Sequence, residues 1–396
     1  MPRTVRKTTY LWLAATGVCF LLVLPWRPDS HLLMAADKEN LTKPLPGLTG
    51  QPLTDFLTGL DEFEERETIA QGLGPVFNAK SCAECHAVPS TGGSELNLGV
   101  ARETRIGGVD GDPLAHVGGP LLQQRAITLP GCPLQGETVP PGTPVVSQRL
   151  TTPLFGAGLI ETIPEATILA NTVNGGRPNR VVNPDLPPGA PLQLGRFGWK
   201  AQVATLHQFA GDAYLNEMGI TNPSFPQENL PQGQPLPPGC DTVADPEDDG
   251  EGVTAFTNFM TFLAPAPRRA ITAQVQHGED VFHQIGCASC HVPTMTTGPH
   301  AIPALSTQPV HLFSDLLLHT IGTGDGIVQG AATGAEFRTA PLWGLARRTR
   351  FLHDGRAKTV QDAILRHSDE AQRALTGFVG LSRADHDALL AFLGSL

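Results

Sequence analysis

The chain has 396 residues and carries 27 basic against 38 acidic side chains, so its formal net charge is −11. A net acidic chain lacks the electrostatic footprint of a nucleic-acid-binding protein, and we expect no nucleic-acid partner. Charged residues make up only 16% of the chain, which excludes a wholly disordered or coiled-coil protein. The 43 glycines and 36 prolines predict short helices joined by long loops.

The first 36 residues have the pattern of a targeting segment. Arg3, Arg6 and Lys7 precede an apolar run over 10–26. This order is typical of a secretory signal peptide, and the run is slightly short for a membrane-spanning helix of about 20 residues. We therefore expect residues 1–36 to be a signal peptide, with an uncleaved N-terminal membrane anchor as the alternative. Both alternatives place the rest of the chain in the periplasm, where cysteines can pair.

Two C-x-x-C-H motifs organise the rest of the chain. They are Cys82-Ala-Glu-Cys85-His86 and Cys287-Ala-Ser-Cys290-His291. In c-type cytochromes the two thiols of this motif form thioethers with one porphyrin, and the histidine is the proximal iron ligand. Redox-active disulfides and zinc are the alternatives, and two pairs so far apart in sequence make a poor zinc site. The sequence thus predicts two covalently bound haem c groups.

The sequence around the two motifs also repeats. Phe77 and Phe282 each lie five residues before the first cysteine of a motif, and each half of the chain ends in a predicted apolar helix. The repeat indicates a mainly α protein with two cytochrome c-like domains and long Pro/Gly-rich loops. We expect the first domain at 37–266, with a large insertion, and the second at 267–396.

Two further cysteines, Cys132 and Cys240, lie in Pro/Gly-rich sequence. In an oxidising compartment we expect a single disulfide between them. Two free thiols, or a thiol next to a haem, are the alternatives. Closing a loop of about 100 residues would stabilise the fold by about 4–5 kcal/mol in the chain-entropy model.

Several segments resemble a known family. They are GAGLIETIPEATILA (156–170), GRFGWKAQVATLHQFAGDAYLNEMGITNPSFP (195–226), LFSDLLLHTIGTGDG (312–326) and EFRTAPLWGLARRTRFLHDGRAKTVQDAILRHSDEAQ (336–372). They are similar to bacterial di-haem oxidoreductases, also called thiol oxidoreductases, which are related to the di-haem cytochrome c peroxidases. The resemblance covers most of 60–396. It implies two haems, peroxide or another oxidant as substrate, and electrons from a redox partner protein or small donor.

The segment after Thr359 predicts a helix with one buried face. Val360, Ala363, Ile364 and His367 recur at the spacing of one helix face, and the first three are apolar. His367 therefore points inward, either as an ordinary core histidine or as a ligand.

The resemblance assigns this histidine to the second haem. His367 stands eight residues after Thr359, where the peroxidases have an axial methionine. We therefore expect His367 to bind the second iron opposite His291, which gives a six-coordinate haem of lower potential than methionine would give. His311 and His319 are alternative sixth ligands.

The first haem is expected to be the reactive one. A peroxidase needs a displaceable sixth ligand and a distal acid–base group that moves a proton between the peroxide oxygens. The segment 159–164 (LIETIP) resembles the peroxidase pattern E-M-x-x-P, which implies that Glu161 is this catalytic acid. Glu165, in the predicted first turn of a helix, is the alternative. The resemblance also implies that His116 is a reversible ligand of this iron, with an ordinary loop residue as the alternative.

Two further residues are candidate cofactor contacts. Arg338 is expected to pair with a haem propionate through its planar guanidinium group. Trp199 is expected between the haems as an electron relay, with a core aromatic residue as the alternative. The sequence His353-Asp354-Gly355 most simply predicts a tight turn.

Three functions follow from these patterns. The favoured function is an exported, peroxidase-like oxidoreductase with one reactive haem and one electron-transfer haem. An electron-transfer cytochrome without substrate chemistry is the main alternative, and an oxygenase or modifying enzyme acting on a polymer or protein is the third. A distal acid at Glu161 favours an enzyme, because an electron carrier needs none.

Overall fold

Short helices make up most of the regular structure in the computed structural model, which describes residues 40–94, 103–108, 111–117 and 119–396. The ten α-helices of this part are α1 Gln51–Glu64, α2 Cys82–Cys85, α3 Ala157–Glu161, α4 Glu165–Leu169, α5 Leu206–Met218, α6 Glu251–Phe262, α7 Ala273–Gln284, α8 Val360–Ile364, α9 Gln372–Val379 and α10 Arg383–Leu393. The prediction of a mainly α chain is therefore confirmed. The predicted signal or anchor segment, 1–36, lies outside the described residues. Among those residues, no helix has the length and apolar character needed to span a bilayer.

The strands form short antiparallel ladders, each of two strands, that connect the loops. They pair β1 Val76–Phe77 with β3 Arg125–Ala126, β2 Glu103–Gly107 with β4 Val145–Arg149, β5 Arg180–Val181 with β6 Gln193–Leu194, β7 Met295–Thr296 with β8 Pro309–Val310, and β9 Leu318–Thr320 with β10 Glu336–Arg338. In the last ladder Arg338 lies opposite Leu318. These ladders fix long loops without building a sheet large enough to form a layer of its own.

Each of the two predicted domains contains one pair of closely packed helices. Helix α1 packs on α6 and α7 packs on α10. In both pairs a glycine lies at the contact. A Cβ atom on Gly59 would come within 2.3 Å of the Ala255 carbonyl oxygen, and one on Gly278 within 2.0 Å of that of Ala388. Only a residue without a side chain permits so close an approach of two helix backbones.

Phenylalanines four residues after these glycines lie against the histidines of the two C-x-x-C-H motifs. The ring of Phe63 lies 5.9 Å from that of His86, and the ring of Phe282 lies 6.3 Å from that of His291. Phe63 is therefore the counterpart of Phe282. The expected equivalence of Phe77 with Phe282 is wrong, because Phe77 belongs to strand β1 and not to a helix.

The apolar core has two main clusters. The larger contains side chains from 41–343, whereas the smaller is built only from 275–396 and packs against Cys287. The described residues nevertheless belong to one compact unit. The two cytochrome c-like domains, with their boundary at 266/267, stay a prediction.

The predicted disulfide is confirmed. Cys132 and Cys240 are bonded, with their Cα atoms 5.0 Å apart. The bond closes a loop of 108 residues within the predicted first domain, 37–266.

Candidate haem sites

The first C-x-x-C-H motif forms a single turn of helix. The Ser81 hydroxyl caps α2 by accepting a hydrogen bond from the Glu84 backbone N–H at 3.3 Å. His86 follows directly, and its Nδ1 lies 3.1 Å from the Gly93 carbonyl oxygen. Because a carbonyl oxygen can only accept, Nδ1 must carry the proton, and Nε2 is left with a lone pair for a metal.

The second motif repeats this arrangement. Residues Cys287–Ser289 form a 3-10 turn, and Nδ1 of His291 donates to the Phe313 carbonyl oxygen at 3.0 Å. Burial lowers the pKa of both His86 and His291 to about 4. Both imidazoles are therefore neutral at pH 7, which is the form that binds a metal.

A cavity adjoins the first motif. Its walls include Cys82, Cys85 and His86, with apolar side chains from α5 and α6. Two thiols, a neutral imidazole and a partly apolar cavity fit a covalently attached haem.

His367 lies near the second motif, as expected. The Thr359 hydroxyl caps α8 by accepting from the Asp362 N–H at 3.0 Å, but the α-helix ends at Ile364 and His367 follows it in a tighter turn. Nδ1 of His367 donates to the Ala363 carbonyl at 2.8 Å, so Nε2 again has a free lone pair. Burial lowers the pKa of His367. A positive charge on His367 would also lower the pKa of His291, so the two side chains lie close enough to interact.

The alternative ligand His319 has no nitrogen left for iron. It is buried, with Nε2 2.8 Å from Asp315 and Nδ1 2.8 Å from Glu370. Burial disfavours the protonated imidazole, but the hydrogen bonds to Asp315 and Cys290, together with the charges of these groups, raise the pKa of His319 to about 11. A protonated imidazole cannot bind iron. The other alternative, His311, is exposed and bonded to Thr294.

Glu161 lies at the end of α3 and has a structural partner. Its Oε1 accepts a 2.7 Å hydrogen bond from the backbone N–H of Leu206, the first residue of α5. Burial raises the pKa of this half-buried carboxyl, against the opposing charge of Arg196. Glu161 does not line the cavity at the first motif. Glu165 is ion-paired with Arg180 at 2.5 Å.

Three other carboxylates do line that cavity, and no sequence motif pointed to them. They are Glu103, Asp212 and Glu217. Arg105 pairs with Glu103 at 2.8 Å. Burial raises the pKa of Asp212 to about 6 and that of Glu217 to about 8. Asp212 and Glu217 lie five residues apart on α5, a spacing that does not place two side chains on one helix face, so the sequence carried no signal that both line the cavity.

His116 lies away from this cavity. It is exposed in the 3-10 turn Ala115–Val117 and does not line the cavity wall. Its function as a reversible ligand stays a prediction.

Trp199 lies in the wall between two cavities. It lines both the cavity at the first motif and a second cavity. Its Nε1 donates to the Leu150 carbonyl at 2.7 Å. Its ring meets those of His353 at 6.4 Å and Phe337 at 6.2 Å, and these two rings stack on each other at 4.2 Å. His353 is thus a buried member of an aromatic cluster, a location that its predicted turn did not suggest.

Arg338 has an unused donor. Its Nε donates to the Gly198 carbonyl at 2.9 Å, whereas the buried Nη1 has no hydrogen-bond partner. A buried donor without a partner is unfavourable unless a ligand supplies the acceptor. This arrangement fits the carboxylate of a haem propionate.

Comparison with known proteins identifies the family. A family model described as "Di-haem oxidoreductase, putative peroxidase" matches residues 143–396, which include the second motif but not the first. No curated protein matches the chain.

Similar solved structures are distant. They include hydrazine synthase of Kuenenia stuttgartiensis, 14% identical over 98% of this chain and 100% of that chain, with a TM-score of 0.44. The diheme peroxidase BthA of Burkholderia thailandensis is 17% identical over 90% of this chain and 87% of its own, with a TM-score of 0.44. A MauG-like protein associated with microbial copper homeostasis is 14% identical over 89% and 91%, with a TM-score of 0.41. These structural similarities carry no functional conclusion, whereas the family match covers most of the chain. The chain therefore belongs to the di-haem oxidoreductase family and is an oxidoreductase that uses two haems.

Proposed function

We propose that this protein is an exported, peroxidase-like oxidoreductase with two covalent haem c groups, of which the first reacts with peroxide or another oxidant and the second transfers electrons. The observation that carries the proposal is the pair of C-x-x-C-H motifs, each with its histidine Nδ1 bonded to a backbone carbonyl. When bound there, haem supplies one-electron and peroxide chemistry.

The surroundings of the two motifs support different functions for the two haems. His86 faces a cavity, whereas His291 has His367 nearby with a free Nε2. Two imidazole ligands would leave the second iron without an open position. No second histidine is among the described residues that line the cavity of the first motif.

Trp199 supports electron transfer between the sites. It shares with Leu154, Gly198 and Phe209 the wall between the two cavities. Its indole is fixed by the hydrogen bond to Leu150 and by the rings of His353 and Phe337. A fixed aromatic ring in that wall is well placed to act as a relay.

Proton delivery has two candidate sources. The resemblance favours Glu161, whose pKa is raised by burial. Asp212 and Glu217 are the second candidate, because they line the cavity itself and have raised pKa values. A general acid must be within hydrogen-bond reach of the reacting group, directly or through one water.

Export to the periplasm is part of this proposal, with an N-terminal membrane anchor as its variant. The Cys132–Cys240 disulfide supports it, because such bonds persist in oxidising compartments. The electron donor would be a redox partner protein or a small reductant from the same compartment.

The deciding experiment measures the intact mass and the EPR spectrum of protein matured in cells that attach haem c. We expect the mass of the chain plus two haems, with one high-spin and one low-spin signal. Two low-spin signals would instead indicate an electron carrier. A chain without covalent haem, or with bound zinc, would contradict the proposal.

A further inference from the structure

The second cavity contains two arginine side chains and no carboxylate. Arg338 and Arg348 line it, together with aromatic residues such as Phe155, Trp199 and Trp343, and none of its lining residues is Asp or Glu. Apolar walls solvate a cation poorly, so an unpaired guanidinium is unfavourable there.

Neither arginine forms an ion pair with a described residue. Arg338 is only 8% exposed, and its Nη1 is unpaired. The side chain of Arg348 makes no hydrogen bond or ion pair with a described residue. Burial lowers the pKa of each to about 10, and the charge of Arg348 also lowers the pKa of Arg338. Both groups nevertheless stay charged at neutral pH, so two like charges share one cavity.

The cavity adjoins that of the first motif, and Arg338 lies on strand β10, which pairs with β9, a strand close in sequence to the segment bonded to the second motif. On one side it shares Trp199 and Phe209 with the cavity of the first motif. On the other side Arg338 is influenced by the charge of Asp315, whose backbone N–H donates to the Cys290 carbonyl at 2.9 Å. An anion held here would therefore belong to a group bound at one of the motifs.

Haem is such a group, because it carries two propionate carboxylates on the edge away from its vinyl groups. We propose that Arg338 and Arg348 form a paired guanidinium site that binds haem propionate and neutralises its charge. The planar fork of arginine suits bidentate binding of a carboxylate. This inference rests on the covalent haems of the proposed function, and it adds Arg348 to the single arginine that the sequence indicated.

The test compares haem-loaded Arg348→Ala, Arg348→Lys and wild type by resonance Raman spectroscopy and redox titration. Loss of the hydrogen bonds should move a propionate bending band of the Arg348→Ala variant to lower frequency. The reduction potential of the same haem should fall, because a positive charge is lost beside it. Arg348→Lys keeps the positive charge but loses the planar guanidinium. Its reduction potential should therefore stay close to that of wild type, whereas its propionate bending band should still shift. The spectrum of the haem that responds identifies which haem owns the propionate.

Arg347→Ala is the matched control. It removes a positive charge from the position directly before Arg348. Arg347 donates to the Pro267 carbonyl at 2.9 Å and does not line the cavity. We expect no shift of its propionate bands. Unchanged bands and potentials in Arg348→Ala and Arg348→Lys, with two haems present by mass, would overturn this inference alone. Absence of covalent haem would overturn the proposed function as well. If Arg348→Ala does not fold, the Lys variant decides the outcome.

Discussion

At the scale of single residues, backbone carbonyls fix the proton positions of the histidines in the two C-x-x-C-H motifs. The carbonyls of Gly93 and Phe313 fix Nδ1–H of His86 and His291, which directs Nε2 to the metal side. A hydrogen bond of this kind orients the ring and raises its basicity as a ligand. The same rule applies to His367, whose Nδ1 donates to Ala363.

This similarity leads to a prediction for the second haem. Replacing His367 by methionine should keep that haem low-spin but raise its reduction potential, because a thioether donates less strongly to iron than an imidazole does. EPR spectroscopy and a redox titration of the haem-loaded variant measure both quantities. If neither the spectrum nor the potential changes, His367 is a core residue and not a ligand.

A second prediction separates the candidate proton donors. Glu161→Gln should slow the reaction with peroxide by about 10²–10⁴-fold, the usual contribution of a positioned acid–base group. The fold should persist, because the glutamine carbonyl can still accept the hydrogen bond from Leu206. Stopped-flow absorption under matched haem loading measures the rate.

Two variants serve as controls for this experiment. Glu165→Gln should leave the rate unchanged and cost only about 0.3–1 kcal/mol of stability, since it removes one charge from a helix N-terminus. Glu217→Gln tests the carboxylates in the cavity. A normal rate in Glu161→Gln together with a slow Glu217→Gln would move the proton donor into the cavity.

At the scale of elements, the two helix crossings depend on glycine. A methyl group at position 278 would meet the backbone of α10 at 2.0 Å, where no flexible side chain can yield. Gly278→Ala should therefore lower the free energy of unfolding by about 1–3 kcal/mol, the cost of overpacking, less up to about 1 kcal/mol from better helix propensity.

Denaturant unfolding of the haem-loaded protein measures this change. Gln274→Ala, at an exposed position of the same helix, should alter stability by less than about 0.5 kcal/mol. Equal stability of Gly278→Ala and wild type would show that the helices can separate slightly without cost.

The same elements show why sequence reasoning succeeded at the second motif and misaligned the first. Gly278 and Phe282 are followed closely by Cys287, so the helix and motif are visible together. Gly59 and Phe63 have the same spacing, but 17 residues with strand β1 separate α1 from α2. The counterpart helix was therefore hidden by an insertion, and Phe77 matched it only by position.

At the scale of the whole molecule, the sequence indicated the motifs whose residues are neighbours in the chain. It gave no sign of the side-chain clusters that tertiary contacts form. Adjacent cysteines and a histidine define a haem motif within five positions. Tertiary contacts bring Trp199, Phe337 and His353 into one aromatic cluster. They also place both Arg338 and Arg348 in the wall of one cavity. Only side-chain packing brings them together, so periodicity and motif spacing carry no sign of them.

The disulfide has a consequence for the chemistry open to the mature protein. The described residues contain six cysteines, of which Cys132 and Cys240 are already bonded to each other. With thioether links at the other four, none of these six sulfurs would be a free nucleophile. The Cys132–Cys240 bond is the one among them that an outside thiolate could attack, and Cys240 is buried. Oxidation of a thiol substrate by this protein would then proceed either by exchange at this disulfide or by electron transfer through haem.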